Sequence, residues 1–214
     1  MGKILLFDLD GTLTESAPGI ISSIVYTLEY FHLPVPPREE MFNYIGPTLT
    51  ESFLQLCGFD SDKATEAIRV YRQYLSEKGM YENSVYDGIP ALLDRLHGAG
   101  YRLGVATSKQ EGISRRILEH FGLIDRFEFV AGSTMDESRS SKEDVIRWAM
   151  KNMNVADPND VYMIGDTKYD INGAKRAGVR SIGVLYGYGT EAELREAGAD
   201  HICPTVASVG ELLA

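Results

Sequence analysis

Two periodicities alternate along this chain. Short apolar runs rich in branched residues occupy residues 4–7, 102–106, 127–131, 161–164 and 181–185, and His201 with Ile202 marks a further short one. Each is followed by a polar or glycine-containing turn and then by a stretch with apolar side chains at i, i+3 and i+4. Strand, turn and helix repeating in that order predict a parallel sheet covered by helices, because parallel neighbours need a crossover and a helix usually supplies it. The expected fold class is α/β with a Rossmann-like parallel sheet.

The alternation breaks once. About ninety residues separate the first two runs, far more than one crossover needs. They show helical spacing at residues 18–31, 38–44, 48–57, 61–78 and 89–97, and no convincing strand. Tyr86-Asp87-Gly88 reads as a turn and Pro90 falls in the first turn of the next helix, so that last helix belongs with the sheet. Residues 16–84 are therefore expected to form an inserted α-helical cap, and residues 1–15 with 85–214 the α/β core. A chain of 214 residues with 44% apolar and 24% charged side chains is large enough to bury both.

Charge narrows the partners. Thirty-one acidic against twenty-one basic side chains give a net charge of −10, with no basic stripe, which excludes a nucleic-acid polymer. The same excess repels small anions, so an anion site must carry its own local positive charge, and a metal ion would supply it. Cys57 and Cys203 lie far apart without zinc-like spacing and read as reduced thiols. The apolar stretch before Asp8 is too short for a secretory signal, and no run reaches membrane-spanning length. The expectation is a cytoplasmic protein without membrane partners, a monomer or weak homodimer.

Four places carry chemistry. In Phe7-Asp8-Leu9-Asp10-Gly11-Thr12-Leu13, a buried strand delivers two carboxylates to the point where the chain leaves the sheet. Residues i and i+2 of an extended segment project the same way, and Gly11 permits the turn. Acids this close repel unless a cation or a shared proton intervenes. In Ile164-Gly165-Asp166-Thr167-Lys168-Tyr169-Asp170, another strand ends in an acid with a second four residues on, and such oxygen donors suit magnesium. Asp170 also fits the cap of the helix that follows. Thr107 and Ser108 end a third run, where hydroxyls and backbone N–H groups can hold phosphate oxygens. Lys142 opens a helix, where a cation opposes the helix dipole unless an anion faces it.

In this order, with a helical insertion after the first, the four segments resemble the haloacid dehalogenase-like phosphohydrolases with an α-helical cap, across the whole chain. The Asp-x-Asp-Gly-Thr segment at 8–12 and the Gly-Asp-x-x-x-Asp segment at 165–170 carry the likeness. Segments 105–109, 145–149 and 183–189 are similar to the phosphoglycolate phosphatase and 5′-nucleotidase branch. The resemblance implies that Asp8 attacks phosphorus while Asp10 protonates the leaving oxygen and then deprotonates water. It implies Mg2+ held by the Asp8 carboxylate, the Asp10 carbonyl and Asp166, with Asp170 nearby, and a phosphoryl group held by Thr107, Ser108 and Lys142. The implied substrate is a small phosphorylated metabolite, either 2-phosphoglycolate-like or a nucleoside 5′-monophosphate.

The chain departs from the family pattern where Lys142 is followed by Glu143 rather than proline, and Arg139 lies one turn upstream as a possible helper. Substrate choice would fall to the cap, with Gly46 in the loop 44–48 as a candidate contact and Glu15 at the hinge. Two alternatives stay open. One is a phosphomutase of the β-phosphoglucomutase type, which returns the phosphoryl group to a sugar; the other is a module that carries phosphate on aspartate for signalling. The glycines at 183–189 and the histidines at 32, 97, 120 and 201 take ordinary structural readings.

Overall fold

The computed structural model describes residues 3–136 and 138–213, which divide into two compact units, Met1–Glu15 with Val85–Ala214 and Ser16–Ser84. The strands in chain order are β1 (Ile4–Phe7), β2 (Thr14–Glu15), β3 (Ser84–Val85), β4 (Arg102–Gln110), β5 (Phe129–Ser133), β6 (Val161–Gly165), β7 (Arg180–Val184) and β8 (His201–Cys203). The helices are α1 (Ala17–Tyr30), α2 (Arg38–Met41), α3 (Leu49–Leu56), α4 (Ser61–Glu77), α5 (Ile89–Gly98), α6 (Glu111–His120), α7 (Lys142–Asn152), α8 (Lys168–Ala177), α9 (Glu191–Ala197) and α10 (Val206–Leu212).

The first unit is built on a six-stranded sheet in the order β5-β4-β1-β6-β7-β8, with every pairing parallel. Helices cover both of its faces. Ile4 and Leu6 pack in one cluster with Val145, Ile146, Ala149 and Met153 of α7 and Ala174 and Ala177 of α8. Leu5 and Phe7 alternate to the opposite face, where Phe7 meets Phe127 edge-on at 6.3 Å between ring centres. A strand covered on both sides has no polar face to show, which is why residues 4–7 form an unbroken apolar run.

From β1 the chain winds outward through β4 to β5, then returns beside β1 as β6 and winds the other way through β7 to β8. The crossovers therefore diverge between β1 and β6, opening a crevice at their carboxyl ends. Phe7 is level with Val105 on one side and Ile164 on the other. One step further brings Asp8, then Ala106 with Thr107, then Gly165 with Asp166 to the same end of the sheet.

In the second unit, which holds helices α1 to α4, Phe53 of α3 is fully buried and lies 6.3–6.4 Å ring to ring from Tyr44, Phe59 and Tyr71. Thr48 and Glu51 cap α3 reciprocally, and Asp60 caps α4. No helix among the described residues is long and apolar enough to cross a membrane.

Three expected boundaries need correction. β4 continues to Gln110 rather than ending at 106, and β5 begins at Phe129 rather than 127, because a 3-10 turn at Ile124–Arg126 leads into it. The long insertion also holds β2 and β3, where no strand was expected. Two-residue strands contain no period to detect.

Candidate active site

The loop after β1 is shaped by its glycine. Gly11 adopts φ +78 and its N–H donates to Thr14 O at 2.8 Å, while Leu13 and Thr14 N–H both donate back to Leu9 O. A side chain at position 11 would place its Cβ 2.2 Å from Asp166 Oδ2, so only glycine lets this loop lie against the neighbouring strand end. Thr12 Oγ1 donates to Asp166 Oδ1 at 3.1 Å, and Asp8 N–H donates to Ile164 O at 2.9 Å. The ends of β1 and β6 are thereby tied together.

Asp8, Asp166 and Asp170 converge there, each buried, with one carboxylate oxygen from each lying within 4.8 Å of the others. Lys142 reaches in from the first residue of α7, its Nζ 2.8 Å from both Asp8 Oδ1 and Asp170 Oδ1, and it donates to Ala106 O at 3.4 Å. The anion that its place at a helix start called for is thus an aspartate pair. Asp170 serves both ends of its carboxylate: Oδ2 accepts from Thr167 N and Oγ1 at 3.0 and 2.9 Å, capping α8, while Oδ1 faces the ammonium. Asp170 therefore caps α8 with one oxygen and meets Lys142 with the other.

Burial sets the electrostatics. It pushes the Asp8 carboxyl up from 3.8 to about 6; Lys142 pulls it down and the charge on Asp170 raises it further. Asp166 is likewise held well above the ordinary carboxylate range, by burial first and then by the charges of Asp170 and Asp8. For Lys142, burial opposes the charge, but Asp170 and Asp8 outweigh it and hold the ammonium above its usual range.

Asp10, two residues past Asp8, is paired with Lys109 at the end of β4, whose Nζ lies 2.9 and 2.8 Å from its two carboxylate oxygens. Four carboxylates, those of Asp8, Asp10, Asp166 and Asp170, thus face the two ammonium groups of Lys109 and Lys142. Counted by formal charge, the acids exceed the ammonium groups by two, the charge of one divalent cation. An oxygen-only donor set, buried and under-neutralised, fits a hard cation.

These observations agree with a match over residues 5–184 to the family described as haloacid dehalogenase-like hydrolase. The chain belongs to that family. A Pseudomonas aeruginosa protein named 5′-nucleotidase is 41% identical over 209 residues, covering 98% of this hydrolase and 94% of its relative. The tyrosine-protein kinase PtkA of Mycobacterium tuberculosis is 43% identical over 187 residues, covering 87% of this chain but 63% of its own. The crystal structure of a predicted phosphatase from Clostridium acetobutylicum superposes with a TM-score of 0.96 at 46% identity, covering 100% of this chain and 98% of that one.

Other expected residues of the hydrolase fall in varied places. Thr107 is buried and its Oγ1 accepts from Lys109 N–H at 3.3 Å; Ser108 follows it, half-buried. Glu15 lies half-buried in β2, and Gly46 in the second unit adopts φ +108. Arg139 is committed elsewhere. Its guanidinium donates to Gly132 O at 2.9 Å and to Glu111 at 2.8 Å and lies over the Trp148 ring at 4.7 Å.

Sequence reasoning missed Lys109 and the loop after β7. That loop was given an ordinary structural reading, yet Tyr188 N–H donates to Asp166 Oδ2 at 2.8 Å, and Cβ atoms at Gly187 and Gly189 would fall 2.4 Å from Asp166 Cβ and 2.0 Å from Asp166 O. The glycines let backbone wrap the buried acid. Their spacing after a strand was the available signal.

Proposed function

We propose that this hydrolase is a magnesium-dependent phosphatase that cleaves a small phosphomonoester through a phosphorylated Asp8. The observation that carries the reading is the buried trio Asp8, Asp166 and Asp170 with one ammonium, Lys142, bridging two of its members.

Asp8 is the nucleophile, and Asp10 gives a proton to the leaving oxygen in the first half and takes one from water in the second. Both halves use the same pair of residues. Lys142 brings positive charge to the oxygens of the transferring group, where phosphoryl transfer concentrates charge, and Thr107 with Ser108 offers donors from the neighbouring strand end. Asp8, Asp166, Asp170 and the Asp10 carbonyl are the groups that would hold magnesium, which when bound neutralises charge on the phosphoryl oxygens and on the acids themselves. The core motifs grip only the phosphoryl group, so residues 16–84 act as a cap that selects the remainder of the substrate, with Gly46 and Glu15 as candidate contacts. Because the Pseudomonas aeruginosa relative bears the name 5′-nucleotidase, nucleoside 5′-monophosphates lead the substrate candidates, with 2-phosphoglycolate beside them.

The test is phosphate release from p-nitrophenyl phosphate with and without magnesium, followed by a panel of phosphorylated metabolites. Wild-type protein is expected to release phosphate only with the metal, and Asp8→Asn to be inactive with its circular dichroism unchanged. Full activity in that variant refutes the mechanism, and formation of a sugar phosphate isomer instead of free phosphate would favour a mutase.

A further inference from the structure

Lys109 has no part in the reaction described so far, yet it is one of the two ammonium groups among these acids. Its side chain is 6% exposed and that of Asp10 17%, and Nζ lies within 2.9 Å of both Asp10 oxygens. A contact to both oxygens fixes the rotation of the carboxylate as well as its position. We propose that Lys109 is a positioning residue that aims the Asp10 carboxyl for its proton transfers.

The backbone around Lys109 is built for that placement. Ala106 pairs with Ala131 and Gln110 with Ser133, so four residues of β4 run against two of β5 and the intervening segment bulges out of register. Bulges of this kind re-aim side chains beside active sites. Lys109 N–H is held by Thr107 Oγ1 at 3.3 Å, and Gln110 caps α6 by accepting Ile113 N–H at 2.8 Å. On the far side, Gly132 admits the bulge: a Cβ there would fall 2.6 Å from Lys109 O and from Glu111 Cα. Backbone held on three sides delivers the ammonium to one spot, unlike a lysine swinging freely at the surface.

The proposal rests on the phosphatase reading, in which Asp10 loses a proton to the leaving oxygen as the P–O bond breaks and regains one from water as phospho-Asp8 is hydrolysed. Lys109 keeps all its own protons throughout. Its loss should therefore damage only the steps that need Asp10, and in the first half-reaction, which kcat/KM reports, that need depends on the leaving group. An alkoxide must be protonated as it departs; p-nitrophenolate departs with little help.

The experiment compares kcat/KM of wild type, Lys109→Met, Lys109→Gln and Lys109→Arg on glycerol 2-phosphate and p-nitrophenyl phosphate, with Asp8→Asn as the control. The expected result for Lys109→Met is a loss of about 100-fold on the alkyl ester, within the range of general acid catalysis, but under about 5-fold on the aryl ester. Lys109→Gln should follow the same pattern, and Lys109→Arg should recover most of the alkyl rate. Equal losses on both esters, no loss, or a gain overturns the proposal, as does failure of both neutral variants to fold, which would make the pair structural. An active Asp8→Asn control would instead sink the phosphatase reading itself.

Discussion

A residue with no functional group offers the sharpest test of how Lys142 is held. Gly173 lies in α8, and a Cβ added there would sit 2.6 Å from both Cβ and Cγ of Lys142 and 3.2 Å from its carbonyl carbon. These atoms belong to the root of the side chain and to the backbone, so rotation of a flexible tip cannot relieve the contact. Restoring ordinary contact in Gly173→Ala requires the start of α7 to withdraw by about 1 Å, given optimal carbon separations of about 3.5–4.0 Å. If the ammonium moves with it, its separation from Asp8 and Asp170 grows from 2.8 Å to about 3.8 Å. At an effective dielectric of about 20 that weakens each attraction by about 1.5 kcal/mol. If the ammonium withdraws as far from the transferring group of the proposed reaction, a loss of that size in the transition state slows turnover about tenfold.

The stability effect is smaller. Overpacking costs about 1–3 kcal/mol, and replacing glycine inside a helix returns about 1 kcal/mol, leaving a net loss of about 0–2 kcal/mol. Steady-state kinetics on p-nitrophenyl phosphate and thermal unfolding read both quantities. The control is Gly98→Ala at the end of α5, where a Cβ meets nothing within 4 Å. Gly173→Ala with wild-type kcat and an unchanged Tm would show that this contact does not place the lysine.

Three further outcomes are expected. Because folding raises the Asp8 carboxyl from 3.8 to about 6, its protonated form favours the folded state; that contribution is complete below about pH 3.8 and is lost as pH rises through about 6. Two pKa units correspond to about 3 kcal/mol, so in chelator the stability of wild type relative to Asp8→Asn should fall by about that much between pH 4 and 7, and magnesium should reduce the fall; parallel denaturation curves at both pH values contradict this. Gly187→Ala would drive a Cβ to 2.3 Å from Gly11 O and 2.4 Å from Asp166 Cβ. It should raise the magnesium concentration needed for half-maximal activity at least about tenfold, as disturbed ligand support generally does, whereas an unchanged magnesium titration would mean that the loop yields freely. Finally, Lys142→Met should cost at least about 100-fold in kcat while Arg139→Ala stays within about 3-fold, since the Arg139 guanidinium is already engaged by Glu111 and Gly132; comparable losses would restore Arg139 as a partner in the chemistry.

What the residues alone determined was whatever is encoded locally. β1 could be bounded at residues 4–7 because burial on both faces leaves an unbroken apolar run, and Asp8, Asp10 and Asp166 stood out because they follow such runs, with Gly11 adjoining Asp10 and Gly165 adjoining Asp166. The helical insertion was legible because its apolar residues recur at i, i+3 and i+4 instead of in unbroken runs. Tertiary structure decided everything that depends on a partner distant in sequence. Lys109 meets Asp10 across 99 positions and Thr12 meets Asp166 across 154, and neither residue has a local pattern that announces its partner. Gly173, Gly187 and Gly189 are indistinguishable in sequence from glycines that only turn a chain; a missing Cβ becomes informative once the atom that would collide with it is in place. Sequence periodicity reports which face of an element is buried. Only the parallel sheet, by placing the ends of β1, β4 and β6 side by side, decides which of those ends share a site.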